Sequence, residues 1–206
     1  EWRDGDRNGV SSEVLLDLLY KGRLWINLRN VLTHHTDVCD AIHSMYDEIE
    51  ANKPGFQAIT RSANLLISSP VALVHYHLDV PVNMLWHIRG TKRVWVYPPF
   101  DTRFASQDIV EKICAAEMVE DAPFEPHFDD SAKVFDVQPG QLLTWPQLTT
   151  HRVENTGDSL HISLSTEHKN ARAIRRINVH LANQFLRAGK QANIGPAEIE
   201  AVADGL

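Results

Sequence analysis

Apolar positions along this chain change their period twice, and each change marks a change of element type. From Ser11 or Ser12 as N-cap, Val14, Leu15, Leu18 and Leu19 recur at helical spacing until Gly22. A short apolar run over 23–28 predicts a strand. From Asp37, the positions Val38, Ala41, Ile42, Met45 and Ile49 repeat the helical pattern, and Lys53-Pro54-Gly55 breaks it. After Phe56 the texture turns to short β-type runs separated by turn residues: 64–68, 72–79, 83–89, 92–97, 132–137, 141–145, 151–154 and 160–165. Gly90-Thr91 is expected to close a two-residue hairpin, and Asn155-Thr156-Gly157-Asp158 a longer one. The stretch from Phe100 to Phe128 reads as loop. Beyond Lys169 the helical period returns, with Ile174, Ile177, Leu181 and Phe185 as a stripe on a helix that also carries Arg172, Arg175, Arg176 and Arg187. The whole predicts a mainly β sandwich or barrel, flanked by N-terminal helices and a C-terminal helical segment.

Composition narrows this picture. A chain of 206 residues with 43% hydrophobic content holds one well-buried core. Two parts are expected: residues 1–168 as the barrel domain with its N-terminal helices, and 169–206 as a helical extension. The stripe on that extension serves docking on its own domain or pairing with a second subunit as a homodimer, since amphipathicity records burial and not the partner. A net charge of −7 argues against nucleic-acid binding and leaves a protein, peptide or small-molecule substrate. The arginines of the last helix are read as a solvated face. Cys39 and Cys114 lack the spacing of a zinc knuckle or redox pair, which fits a reducing compartment. No apolar run approaches the roughly 20 residues that span a bilayer, and the opening Glu1-Trp2-Arg3-Asp4-Gly5-Asp6-Arg7 is unlike a secretory signal. A soluble, cytoplasmic protein is expected, with its native start upstream of Glu1 because no initiating Met is present.

The chemistry lies in His77-Leu78-Asp79 and in His151. On a strand, residues i and i+2 point to one side, so His77 and Asp79 can grip one ion, and a strand returning beside them can add His151. Two imidazoles and one carboxylate leave other positions open for small molecules, the ligand set of non-haem Fe(II) oxygenases. The triplet alone is weak, and the chain holds another, His127-Phe128-Asp129. That second copy follows the acidic, proline-bearing Glu120-Asp121-Ala122-Pro123-Phe124-Glu125-Pro126, which reads as a loop unable to hold ligands in register. A rival metal reading uses His75-Tyr76-His77. His75 shares the strand parity of His77, and His87 lies on the next strand, so a three-histidine site with His151 stays open at this point.

The run from His77 to Pro99, HLDVPVNMLWHIRGTKRVWVYPP, together with Gln138-Pro139-Gly140 and the segment leading to His151-Arg152-Val153-Glu154-Asn155, resembles the JmjC or cupin-like 2-oxoglutarate oxygenases over roughly residues 56–168. That resemblance implies a double-stranded β-helix, the cupin jelly roll. It implies His77, Asp79 and His151 as the catalytic iron ligands, and Lys92, fifteen residues after His77, as the cation for the distal carboxylate of the cosubstrate. Asn83 matches a position that approaches the cosubstrate in some relatives. Fe(II) and 2-oxoglutarate are the implied cofactors, and the implied activity is a dioxygenase, a hydroxylase ahead of a demethylase, on a protein side chain or small molecule. The alternative is a metal- or ligand-binding cupin with a regulatory role and no turnover. Without the resemblance, Lys92 reads as an edge lysine that discourages strand pairing. Trp86, Trp95, Trp145 and Tyr97 are read as core or helix-facing aromatics.

Overall fold

The structure is a computed structural model describing residues 9–22, 24–33, 36–188, 195 and 200. The expectations for the opening 1–7, for Arg23 and for most of the chain beyond 188 lie outside the described residues. The elements run α1 (Ser12–Lys21), β1 (Trp25–Leu28), α2 (Thr36–Asn52), β2 (Thr60–Ser68), β3 (Leu73–Leu78), β4 (Val82–Arg89), β5 (Thr91–Val96), α3 (Gln107–Cys114), β6 (Lys133–Val137), β7 (Leu142–Thr144), β8 (Thr150–Thr156), β9 (His161–Lys169) and α4 (Ala171–Ala188). Ser11 caps α1 by accepting the Val14 amide, as its position before the apolar stripe predicts.

The strands form two antiparallel sheets, ordered β1-β2-β9-β4-β7 and β3-β8-β5-β6. From β2 onward the chain changes sheet at every step except β5 to β6, which is the double-stranded β-helix implied by the motifs. All eight runs read as strands after Phe56 are strands. The two expected hairpins are not hairpins, however: β4 and β5 belong to different sheets, and so do β8 and β9. Each glycine turn is a corner where the chain crosses the barrel, because a strand buried against its own sheet neighbours gains more by folding across than by pairing with its successor. At Gly90 the crossing demands φ +82°, and a Cβ there would stand 2.4 Å from the His161 ring. No side chain fits.

Layering follows from strand parity. The outer face of the five-stranded sheet buries Ala63 and Met84 against Ile42 and Tyr46 of α2, with Trp86 and Leu164 alongside. The barrel interior holds Leu85, Val94, Val137, Trp145 and Val153. Outside the four-stranded sheet, Tyr76, Tyr97, Phe104 and Phe128 pack as an aromatic cluster, and Leu78, Ile113 and Leu148 form another beneath α3. The stretch 100–128 is therefore more than loop. Ile109, Val110 and Ile113, behind the N-cap Ser106, carried the helical signal that its polar surroundings masked.

The last helix is docked the other way round from expectation. Its buried positions are Ala173, Arg176, His180 and Asn183, whereas Leu181 and Phe185 of the apolar stripe are 39% and 79% exposed. Arginines read as solvated are partnered instead: Arg187 with Glu111 of α3 at 2.8 Å, and Arg176 with Glu200 at 2.7 Å.

Candidate metal centre

β3 and β8 are antiparallel neighbours, and their register sets His77 directly opposite His151. Asp79 follows the end of β3, one step past Leu78. Nε2 of His77 lies 3.8 Å from Oδ1 of Asp79, and Nε2 of His151 lies 3.5 Å from Oδ2. One ligand atom from each residue falls within 4.8 Å of the other two, and these are the three residues that meet in this way among those described.

The imidazoles are prepared for a cation. Nδ1 of His77 donates to the His75 carbonyl at 2.7 Å, and Nδ1 of His151 donates to the Thr149 carbonyl at 3.0 Å. A carbonyl oxygen only accepts, so each Nδ1 carries the proton and each Nε2 presents its lone pair to the shared space. Burial, and after it the neighbouring His77, pushes the His151 pKa down to about 4, which keeps that ring neutral at pH 7. Trp145 walls the site, its ring centre 4.3 Å from that of His151. Asp79 is oriented by Asn83, whose Nδ2 donates to Oδ2 at 2.9 Å while Ser165 fixes the same amide. Two imidazoles presenting Nε2 and one oriented carboxylate fit a divalent transition ion such as Fe(II), Mn(II), Co(II) or Zn(II).

The three-histidine alternative does not assemble. A register shift between Val74 and His77 breaks the strand parity, and His75 is exposed. His87 is buried in the interior with both ring nitrogens engaged, to Ser163 Oγ at 2.9 Å and the Gly90 carbonyl at 2.8 Å. The second triplet is also accounted for. His127 faces Glu125 at the surface, and Asp129 accepts from Arg152 at 2.6 Å and Tyr97 at 2.7 Å.

Lys92 is not an edge lysine. It opposes Asn155 of β8 and shares the inward row with Val94 and His151's row-mate Val153, at 4% exposure. Among the described residues no carboxylate pairs with it and no hydrogen bond engages it, and burial lowers its pKa to about 8. An ammonium on a buried side chain without an anion is costly, and such groups persist where a ligand completes them.

Two surface hollows lie away from the triad, one beside Phe100, Arg176 and His180, the other beside His75, Phe124 and Arg152. Donor chemistry, not hollow size, marks the site. The parts that sequence reasoning missed are those that act through backbone: Leu148, whose amide donates to the Asp79 carbonyl at 3.2 Å, and Gln147, whose amide donates to the Val80 carbonyl at 2.8 Å. No local pattern announces such contacts.

The sequence profile of the cupin-like domain matches residues 26–169. The chain belongs to the cupin-like domain family. No curated protein matches it. Solved structures similar to this cupin-like domain include Peruvianin-I, a cysteine peptidase from Thevetia peruviana latex, at 13% identity and TM-score 0.36 over 53% of this chain and 52% of that one. A cupin superfamily protein from Desulfitobacterium hafniense matches at 10% identity and TM-score 0.33, over 56% of this chain and 72% of that one. The oxalate decarboxylase of Bacillus subtilis matches at 18% identity and TM-score 0.37, over 69% of this chain and 31% of that one. The chain thus spans about half the length of the first of these. At such values the likenesses add nothing to what the strand order already says. No helix among the described residues is long and apolar enough to cross a membrane.

Proposed function

We propose that this cupin-like domain is an Fe(II)- and 2-oxoglutarate-dependent oxygenase of the JmjC type, a cytoplasmic hydroxylase of a protein side chain or small molecule rather than a demethylase. One observation carries the reading: a His-Asp-His cluster and an unpaired buried lysine occupy the same interior wall. His151 and Asn155 are four residues apart on β8, about 13 Å of strand, and Lys92 lies opposite Asn155. The lysine stem and a short diacid together close that distance.

When bound, Fe(II) and 2-oxoglutarate supply the oxidative chemistry, in which O2 is consumed, the cosubstrate is decarboxylated to succinate and a substrate C–H bond becomes C–OH. His77, Asp79 and His151 hold the ion from one side and leave the opposite side to ligands. Lys92 pairs with the distal carboxylate and is restored toward its ordinary charged state by doing so. Asn83 keeps Asp79 aimed and stands where a cosubstrate would pass. Val94 and Val153, opposite one another between Lys92 and His151, exclude water from the space that joins them. The free thiols Cys39 and Cys114 suit a reducing cytoplasm. Exposed Leu181 and Phe185 on α4 offer the face for a homodimer.

The test is succinate formation by the purified chain with Fe(II) and 2-oxoglutarate. Turnover is expected for the native chain and absent for His77→Ala and Asp79→Ala. Metal retained through purification with no succinate, across a broad substrate panel, would make the protein a binding cupin with a regulatory role.

A further inference from the structure

One short segment braces both halves of the metal centre. Between β7 and β8, the Leu148 amide donates to the Asp79 carbonyl at 3.2 Å, and the Gln147 side chain donates to the Val80 carbonyl at 2.8 Å. The next carbonyl, that of Thr149, receives the Nδ1 proton of His151 at 3.0 Å. Two of the three ligands therefore take their position from residues 147–149. Leu148 adopts φ +61°, a left-handed conformation that a leucine keeps only where its surroundings hold it.

The hold comes from the C-terminal helix. Arg176 of α4 donates from Nη1 to Gln147 Oε1 at 2.7 Å, and Gln147 Nε2 also reaches the Ala173 carbonyl at 3.3 Å. Both side chains are buried, at 4% exposure each. Arg176 is fixed in turn by Glu200, which accepts from Nε at 3.0 Å and from Nη2 at 2.7 Å, and which Arg172 also grips. A directional chain of bonds thus runs from Glu200 through Arg176 and Gln147 to the turn carrying Asp79.

We propose that Arg176 is a positioning residue for the metal centre, acting through Gln147 on the 79–80 turn, with Glu200 setting the strength of its grip. The inference rests on the metal reading above. Without the guanidinium, Gln147 Oε1 becomes a buried acceptor with no donor, the amide turns to find one, and the Val80 contact goes with it. Asp79 is then aimed by Asn83 and by the Leu148 amide, without the anchor that ties their neighbour Val80 to α4. Groups behind a first ligand shell typically govern metal affinity by 10–100-fold.

The experiment is a titration of the 206-residue chain with Co(II) alone, following calorimetric heat and the Co(II) absorption bands, with thermal unfolding of each variant in parallel. Arg176→Met is expected to weaken Co(II) binding roughly tenfold or more and to alter the bands. Arg176→Lys should recover part of the loss, and Glu200→Gln should weaken binding by a smaller factor while the chain stays folded. Folded Arg176→Met and Glu200→Gln with native affinity and native bands would overturn the proposal. Should Arg176→Met not fold, Glu200→Gln decides by the same criterion. A native chain that binds no Co(II) would instead remove the metal reading itself.

Discussion

Two His-x-Asp triplets lie wholly among the described residues, and only one of them meets a third ligand. His77 and Asp79 sit at the end of a strand whose register brings His151 opposite. His127 and Asp129 sit in a short 3-10 turn, Pro126–Ser131, where no strand returns beside them. Both aspartates are satisfied, but by different partners. Asp129 already has a cation in the chain, Arg152 at 2.6 Å, stacked on Trp95 at 3.5 Å. Asp79 has the Asn83 amide and two imidazoles beside it, and among the described residues no lysine or arginine pairs with it. Lys92 is the converse case, a buried cation with no anion paired to it among the described residues. The difference teaches that an ionic site is recognised by the charge it lacks, more than by the spacing of its residues.

The largest expected effect separates the two triplets outright. Asp79→Ala should abolish Co(II) binding, whereas Asp129→Ala should leave the affinity as it is; calorimetric titration of both variants reads the contrast, and equal losses would erase it. Next comes the third case. Lys92→Met should weaken 2-oxoglutarate binding by about 2–5 kcal/mol, the usual cost of truncating one partner of a desolvated charge pair, with Co(II) affinity untouched. A Lys92→Met chain that saturates at the native 2-oxoglutarate concentration would strip Lys92 of its role.

How much of this was legible before the fold was known depends on whether the signal was local. The i, i+2 parity of His77 and Asp79 is local, and it survived. The parity of His75 failed two residues away, because the bulge after Val74 depends on how β3 pairs with β8. Glycine marked both Gly90 and Gly157 as turns. Whether a turn closes a hairpin or crosses between sheets is decided by which strands lie beside it, and sequence neighbours do not carry that information. The stripe on α4 misled for a related reason: its apolar residues were plain, but the loop before β8 and helix α3 offered it Gln147 and Glu111, so the side with Arg176 and Arg187 turned inward. Gln147 itself was invisible, since its work is a tertiary contact between two loops.

The smallest expected effect sharpens the triplet comparison in stability. Asp129→Asn gives up an ion pair with a half-buried arginine and should cost about 1–2 kcal/mol, a lowering of the unfolding midpoint by roughly 2–8 °C for a chain of this size. Asp79→Asn should cost nothing in the metal-free chain. It removes a charge that, after burial, helps to hold the nearby Glu167 carboxyl above its ordinary pKa. Thermal melts of the two amides side by side check the sign, and a destabilised Asp79→Asn would mean that the triad aspartate has a cationic partner in the chain after all.

The seam between α3 and α4 has a practical consequence for trimming this protein. Glu111 is sealed from water at 0% exposure, and its counter-charge, Arg187, is delivered by a helix lying past the last residue of the family match. A version cut after β9 would keep every strand and every triad side chain, yet would strip from α3 the helix that covers Glu111 and supplies its counter-charge. What such a cut loses is the packing of α4 on α3 together with the Arg187–Glu111 pair, set against the roughly 5–15 kcal/mol that holds a typical domain together. The shortest piece that keeps its shape therefore extends through α4, well beyond where the recognisable pattern ends.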